Sequence, residues 1–194
     1  MNQKTECKRF VSEKLNMLLV LPANSASAVL AQLRRGLSSG PGQGPELWEW
    51  TISGLPEELM GNFGEATKAE WAVHVALTLF AFHQQGNDIR LNPMHLAERR
   101  FGSAVKRLVK GTEEGAEERV LKRLKVAASA DSIRALAFQL RQIVSLLKGG
   151  SIAFDYVDLA GDLYDFQYED GRSAVRRKWA QDYYRVGKTV ADEN

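Results

Sequence analysis

Apolar residues recur at helical spacing through most of the chain, and one segment departs from that pattern by having no polar face. From Trp71 to Phe82 only His74 and Thr78 interrupt an apolar run. A helix that is hydrophobic all round has no solvent side, so other elements must wrap it. The run of 12 residues is too short for a bilayer, which needs about 20. Thr67 can serve as N-cap, and Glu70 three positions on completes a capping box. Gly86, Asn87 and Asp88 form a stop signal. The pattern therefore predicts a central core helix over Thr67–Gly86.

The remaining periodicity predicts helices around it. The first runs over Thr5–Leu21, with Phe10, Val11, Leu15, Leu18 and Leu19 on one face. Pro22 and Asn24 break it, and Ser25 or Ser27 caps a second helix carrying Val29, Leu30 and Leu33 and ending at Gly36. Ser38–Pro45 is a Gly/Pro loop; Trp48 and Trp50 beyond it read as packing anchors, and Pro56 and Glu57 suit another first turn. After the core helix, Met94–Lys110 reads as a helix buried through Ala97, Phe101, Ala104, Val105 and Leu108. Gly111–Gly115 is a charged link. Glu117–Ser129 follows, buried through Val120, Leu121, Leu124 and Ala128. Asp131 or Ser132 caps a helix to Leu147 whose stripe is Ile133, Leu136, Ala137, Leu140, Ile143, Val144 and Leu147. Asp155–Gln167 and Ser173–Val186 complete the set. Ser151–Phe154 is the only strand candidate and is very short. The expected fold is all-α: a two-lobed helical bundle of about eight to nine helices without significant sheet. Its lobes are 1–112 and 113–187, and 188–194 is a disordered tail.

Composition changes this picture little. Of 194 residues, 44% are hydrophobic and 26% charged, ordinary for a globular protein. Cys7 is the single cysteine, so no internal disulfide forms and a reducing cytoplasm fits. The N-terminus leads into a charged amphipathic segment rather than a signal peptide, and Met17–Leu21 is too short for a signal core.

Charge changes it more. The formal net charge is only +2, but it is unevenly spread. Residues 95–148 hold 12 Lys/Arg against 6 Asp/Glu, whereas 1–94 hold 8 against 9 and 149–194 hold 6 against 9. A cationic middle inside a nearly neutral chain points to a polyanion partner.

Catalytic patterns fail on context. Gly36–Gly40 matches G-x-S-x-G, but a nucleophile elbow needs a strand before its serine and a helix after it; here a helix precedes and a Pro/Gly loop follows. Gly187-Lys188-Thr189 imitates the end of a phosphate-binding loop, yet Asp182 stands where its first glycine belongs. His74, His83 and His95 make no metal-ligand pair; His74 reads as a satisfied core histidine, and His83 sits near a helix C-terminus, where partial positive charge is favourable. Asp155, Asp158, Asp162 and Asp165 share one helical face and read as a solvated acidic surface rather than a metal site. The chain is expected to be non-enzymatic, with no cofactor, no metal and no membrane association.

The basic residues are the stronger signal because their helical phase is regular. Arg119, Lys122 and Arg123 lie at i, i+3 and i+4, opposite the buried stripe of their helix. Arg134, Arg141 and Lys148 recur every seventh residue on the next. Arg100 and Arg107 do so on the helix before, with Arg99, Lys106 and Lys110 facing outward. Three successive helices would each present a basic line, and Arg34, Arg35 and Arg176–Lys178 extend it. Neither a recognition helix after a tight turn nor an aromatic strand platform accompanies them, which favours contact with phosphates over reading of bases. The competing reading is a helical protein-interaction scaffold whose basic faces meet acidic partners, and a third is a hydrolase using Ser38.

A set of short segments in fixed order resembles a known family. Leu30–Gly36 (LAQLRRG), Ala66–Trp71 (ATKAEW), Leu79–His83 (LFAFH) and Gly102–Leu108 (GSAVKRL) come first. Glu118-Arg119, Gln139–Val144 (QLRQIV), Asp155–Ala160 (DYVDLA), Val175–Trp179 (VRRKW) and Asp182–Tyr184 (DYY) follow. Together they are similar to the CasB small subunit of the type I-E CRISPR surveillance complex, Cascade. The resemblance implies an all-α, non-catalytic, cytoplasmic subunit present as two copies. It would contact the backbone subunits and the large subunit and support the crRNA–target DNA heteroduplex and the displaced strand. Carried over motif by motif, the nucleic-acid-binding residues it implies are Arg34, Arg35, Lys68, Arg107, Arg119, Arg141, Arg176 and Lys178. Where the family often has a second arginine this chain has Val120, and Lys122 and Arg123 are the expected substitutes.

Overall fold

The computed structural model describes residues 2–62, 64–109 and 114–185. The expected link at Gly111–Gly115 and the boundary between the two expected lobes lie largely outside these residues, as do Gly187-Lys188-Thr189 and the tail. Nine α-helices occur among the described residues: α1 Gln3–Val20, α2 Ala23–Arg35, α3 Trp48–Thr51, α4 Lys68–Gln84, α5 Phe101–Lys106, α6 Ala116–Ala128, α7 Ile133–Gly149, α8 Tyr156–Phe166 and α9 Glu169–Arg185. Short 3₁₀ turns at Gly36–Ser38, Pro45–Leu47 and Glu57–Leu59 join the early ones. The only β feature among the described residues is an isolated parallel bridge between His95 and Phe154.

α4 is the helix around which the others are arranged. Its capping box is complete: Thr67 Oγ1 accepts from the Glu70 amide at 3.1 Å, and Glu70 Oε2 accepts from the Thr67 amide at 2.6 Å. Gly86 turns the chain away at φ +88°, a value that favours glycine. α1, α2, α7 and α8 all pack on α4, and every residue from Ala72 to Ala81 is buried. Trp71 and Phe82 at its two ends are only half-buried, and both face α7.

Three differences from the sequence reading have clear causes. α2 starts at Ala23 after Pro22, with no side-chain cap; Ser25 and Ser27 lie inside it. Met94–Lys110 is not one helix, because only Phe101–Lys106 is helical. Upstream, the backbone pairs with a distant segment instead: the Leu96 amide donates to Phe154 O at 3.1 Å, and the Asp155 amide to Arg99 O at 2.7 Å. Glu98 adopts φ +64° there, and Ala97 is exposed. α9 starts four residues before Ser173 and carries Gly171 in its first turn, where a Cβ would lie 2.2 Å from Asp165 O.

The acidic face of α8 is not a solvated surface. Asp155 is the helix N-cap, accepting from the Asp158 amide. Lys4 of α1 pairs with Asp165 at 2.5 Å and Lys8 with Asp158 at 3.5 Å. Lys178 of α9 lies 2.6 Å from both Asp158 and Asp162. Asp162 is buried and also accepts from Trp179 Nε1 at 2.7 Å. These carboxylates form an ionic seam joining α1, α8 and α9. Burial opposes the Lys178 charge, but Asp162 and Asp158 outweigh it and hold the ammonium pKa above its usual value.

Candidate nucleic-acid interface

The cationic surface is built on α6 and α7. Ser132 caps α7 by accepting from the Ala135 amide, and Leu136, Leu140, Ile143, Val144 and Leu147 seat it on the core. α7 carries no acidic residue, and its cations Arg134, Arg141 and Lys148 share one flank. Each leans on an aromatic ring. The Arg134 guanidinium lies 5.1 Å from the Trp71 ring centre, while Arg141 and Lys148 lie 5.7 and 5.2 Å from that of Phe82. Trp71 and Phe82 are eleven residues apart on α4, three helical turns, so they present one face to this row.

α6 runs antiparallel along the other flank of α7. Its Arg119, Lys122 and Arg123 face Gln139, Gln142 and Ile143 across a groove of about 360 Å³, with Val126 at one end. Arg119 and Arg123 also border the next depression, toward Ser145 and Leu146 of α7. Among the described residues Lys122, Arg123, Arg134, Arg141 and Lys148 make no ion pair; Lys148 donates to Gln85 Oε1 at 2.9 Å. Arg119 donates to Glu114 O at 3.4 Å. Two cationic rows thus flank α7.

A second groove, of about 450 Å³, lies between α7 and the turn after α2. His74 shapes its rim. Its Nε2–H donates to Gly36 O and Ser39 O at 2.9 and 3.0 Å, pinning the Leu37–Gly40 backbone beside Trp71. Burial lowers the His74 pKa, which keeps the ring neutral in this structural role. Gly36 is needed here, since a Cβ would come within 2.6 Å of Leu47 and 2.9 Å of Thr78. Ser38 sits in a 3₁₀ turn after a helix, which is not the strand-to-helix geometry of a nucleophile elbow.

The other expected contact residues lie elsewhere. Arg34 and Arg35 end α2, leading into the turn that rims the second groove. Arg107 is exposed at the C-cap of α5. Lys68, at the far end of α4, holds its ammonium 3.6 Å from the Tyr168 ring centre. Arg176 and Lys178 are engaged within the fold: Arg176 donates to the carbonyl oxygens of Ala128 and Ala130, and Lys178 is held between Asp158 and Asp162. The expected third basic line fails because its helix is short. Arg100 pairs with Asp182 at 3.0 Å and Lys106 with Glu117. Sequence reasoning missed the rings that brace the α7 cations, the amides of Gln139 and Gln142, and the exposed ring of Phe138. The matching spacings of 134/141/148 on α7 and 71/82 on α4 were the available signal.

Fold and surface define a class: an all-α bundle whose built feature is a cationic face rather than a reactive pocket. The family model for CRISPR-associated protein Cse2 matches residues 29–184, and the chain belongs to that family. Membership implies a subunit of a CRISPR Cascade complex, with other Cascade subunits as partners, in a family of structural components. The crystal structure of CasB from Thermobifida fusca is similar at TM-score 0.70 and 33% identity, covering 94% of this chain and 97% of that one. That of M. ruber CasB superposes at TM-score 0.63 and 21% identity, over 96% of this chain and 94% of the other, a likeness of fold. No curated protein sequence matches the chain. No helix among the described residues is long and apolar enough to cross a membrane.

Proposed function

We propose that this subunit is non-catalytic and acts in the cytoplasm, holding nucleic-acid backbone against its α6–α7 face within Cascade. The ligands are the crRNA–target DNA heteroduplex and the displaced strand, and two copies line them in each complex. The observation that carries this reading is the pair of cationic rows on either side of α7, a helix without a single carboxylate. Phosphates are the anions such rows fit, because cations at one-turn to two-turn intervals can follow a charged strand without reading its bases. Arg119, Lys122, Arg123 and Arg141 form the centre of the contact, with Arg134 and Lys148 added to it. Arg34, Arg35 and Arg107 extend it at the edges. Lys68 is a separate contact. Arg176 and Lys178 brace α6, α8 and α9 instead.

The test is a salt titration of binding to unrelated single-stranded and double-stranded DNA. Affinity should fall linearly on a log–log plot, by about 0.7 to 0.9 per neutralised phosphate. A flat response, or no binding at low salt, supports the protein-interaction scaffold.

A further inference from the structure

One ring on the cationic face is left largely uncovered. Phe138 is 61% exposed, which is costly for a phenyl group in water. It stands on α7 one turn after Arg134 and one turn before Arg141, so guanidinium groups flank it along the helix. All three line the groove whose far wall is the Ser38–Gly40 backbone and Trp71. That wall is fixed rather than loose. His74 holds it through two hydrogen bonds, and Gly40 is packed so closely that a Cβ there would lie 3.3 Å from the Trp71 ring. The Trp71 face is already covered by Arg134, so the uncovered π-surface in this groove is that of Phe138.

From this we infer that the groove between α7 and the Leu37–Gly40 turn is a nucleobase-stacking pocket: an unpaired base lies on Phe138 while Arg134 and Arg141 take the phosphates on either side. The inference rests on the phosphate-binding reading of the α6–α7 face and sharpens it. Phosphate tracking needs only the charged backbone that single and paired strands both carry, whereas only an unpaired base offers a free face to a ring. A base paired in a duplex is already stacked above and below. The Arg134 guanidinium plane, held on Trp71, adds a second surface over which a base can slide. The ligand class is single-stranded nucleic acid, as free DNA or as unpaired RNA.

The experiment compares three probes on the full chain: a deoxythymidine oligonucleotide, an abasic oligonucleotide of equal length and charge, and its ribo-counterpart bearing uracil. Stacking of one base predicts tighter binding of the base-bearing strands than of the abasic strand, by roughly 5- to 150-fold. Phe138→Ala should erase that preference and leave abasic affinity unchanged, with an unaltered melting temperature because the ring is exposed. A preference for the thymidine over the uracil strand, or the reverse, identifies the source as DNA or RNA within the same pocket. Equal binding of abasic and base-bearing strands overturns the pocket while leaving phosphate tracking intact. So does a preference that survives in Phe138→Ala. Failure of every probe to bind at low salt overturns both readings.

Discussion

At the scale of single residues, the same side-chain type does two different jobs, and burial separates them. Lys178 and Arg141 are both cations the sequence assigns to nucleic acid. Lys178 lies between two carboxylates, one of them fully buried, whereas Arg141 stands exposed over Phe82. Lys178→Met leaves Asp158 with only Lys8 and the buried Asp162 with only the Trp179 Nε1–H, and should cost about 2–3 kcal/mol in a denaturant melt, somewhat below the loss for a fully buried pair. Arg141→Glu should shift stability by less than about 0.5 kcal/mol while weakening DNA binding. His83 supplies a pH test. It is buried among Phe154 and Tyr156 and shares a 3.0 Å hydrogen bond with the Tyr156 hydroxyl. Burial pushes its pKa down to about 4 from 6.5, so between those values the unfolded chain binds a proton that the folded chain refuses. Stability relative to His83→Gln should therefore be constant above pH 6.5 and fall progressively as pH drops toward 4, by up to about 1.4 kcal/mol per unit. Equal slopes for the two proteins would remove His83 from the acid response. None of this sorting was legible in the sequence, because the partner of Lys178 sits 16 and 20 residues away and that of Lys4 161 away. Spacing reports which face of a helix a cation takes, and not what awaits it there.

At the scale of elements, legibility followed locality. α4 begins at the cap the sequence places there and α7 at Ser132, one of its two candidates, because Thr67–Glu70 and Ser132 act on amides within three residues; α8 begins at the expected position, though the capping role of Asp155 was not foreseen. Met94–Arg100 was misjudged because its backbone hydrogen bonds go to Phe154 and Asp155, more than fifty residues on. A helical pattern of apolar residues cannot reveal that competitor. α5 survives as a short helix since it crosses α9 at backbone contact. A Cβ at Gly102 would lie 2.3 Å from Trp179 O and 3.0 Å from the Tyr183 amide, and Ser103 Oγ donates to Asp182 O at 3.0 Å. Gly102→Ala should therefore force α5 and α9 apart and cost at least about 3 kcal/mol, the upper end for overpacking. A loss below 1 kcal/mol in a urea melt would mean that the crossing is looser than described. Thr67→Ala removes the α4 cap and a 2.7 Å bond to Leu59 O; about 1–2 kcal/mol is expected from the same measurement.

At the scale of the whole molecule, ion pairs between helices engage the acids of α8 and the cations beside α5, while the cations of α6 and α7 gather on one face. The acids of α8 are consumed by Lys4, Lys8 and Lys178, and Arg100 and Lys106 by Asp182 and Glu117. The cations of the α6–α7 face lie apart from those seams. The skewed charge of residues 95–148 pointed to this region, though the helix before α6 contributes less than its arginines suggest. Membership in the Cse2 family makes the chain a subunit of a larger assembly. Tagged protein purified from its host should bring down the other Cascade subunits together with short repeat-derived RNA. The most direct test of the interface is the salt slope of DNA binding, measured for the wild type and for Arg123→Glu/Arg141→Glu, one reversed charge on each side of α7. The wild type should give a straight log–log decline, and the double variant one shallower by about two phosphates' worth, roughly 1.4 to 1.8, at an unchanged melting temperature. A wild type insensitive to salt, or a double variant retaining the full slope, would contradict the assignment of phosphates to this face.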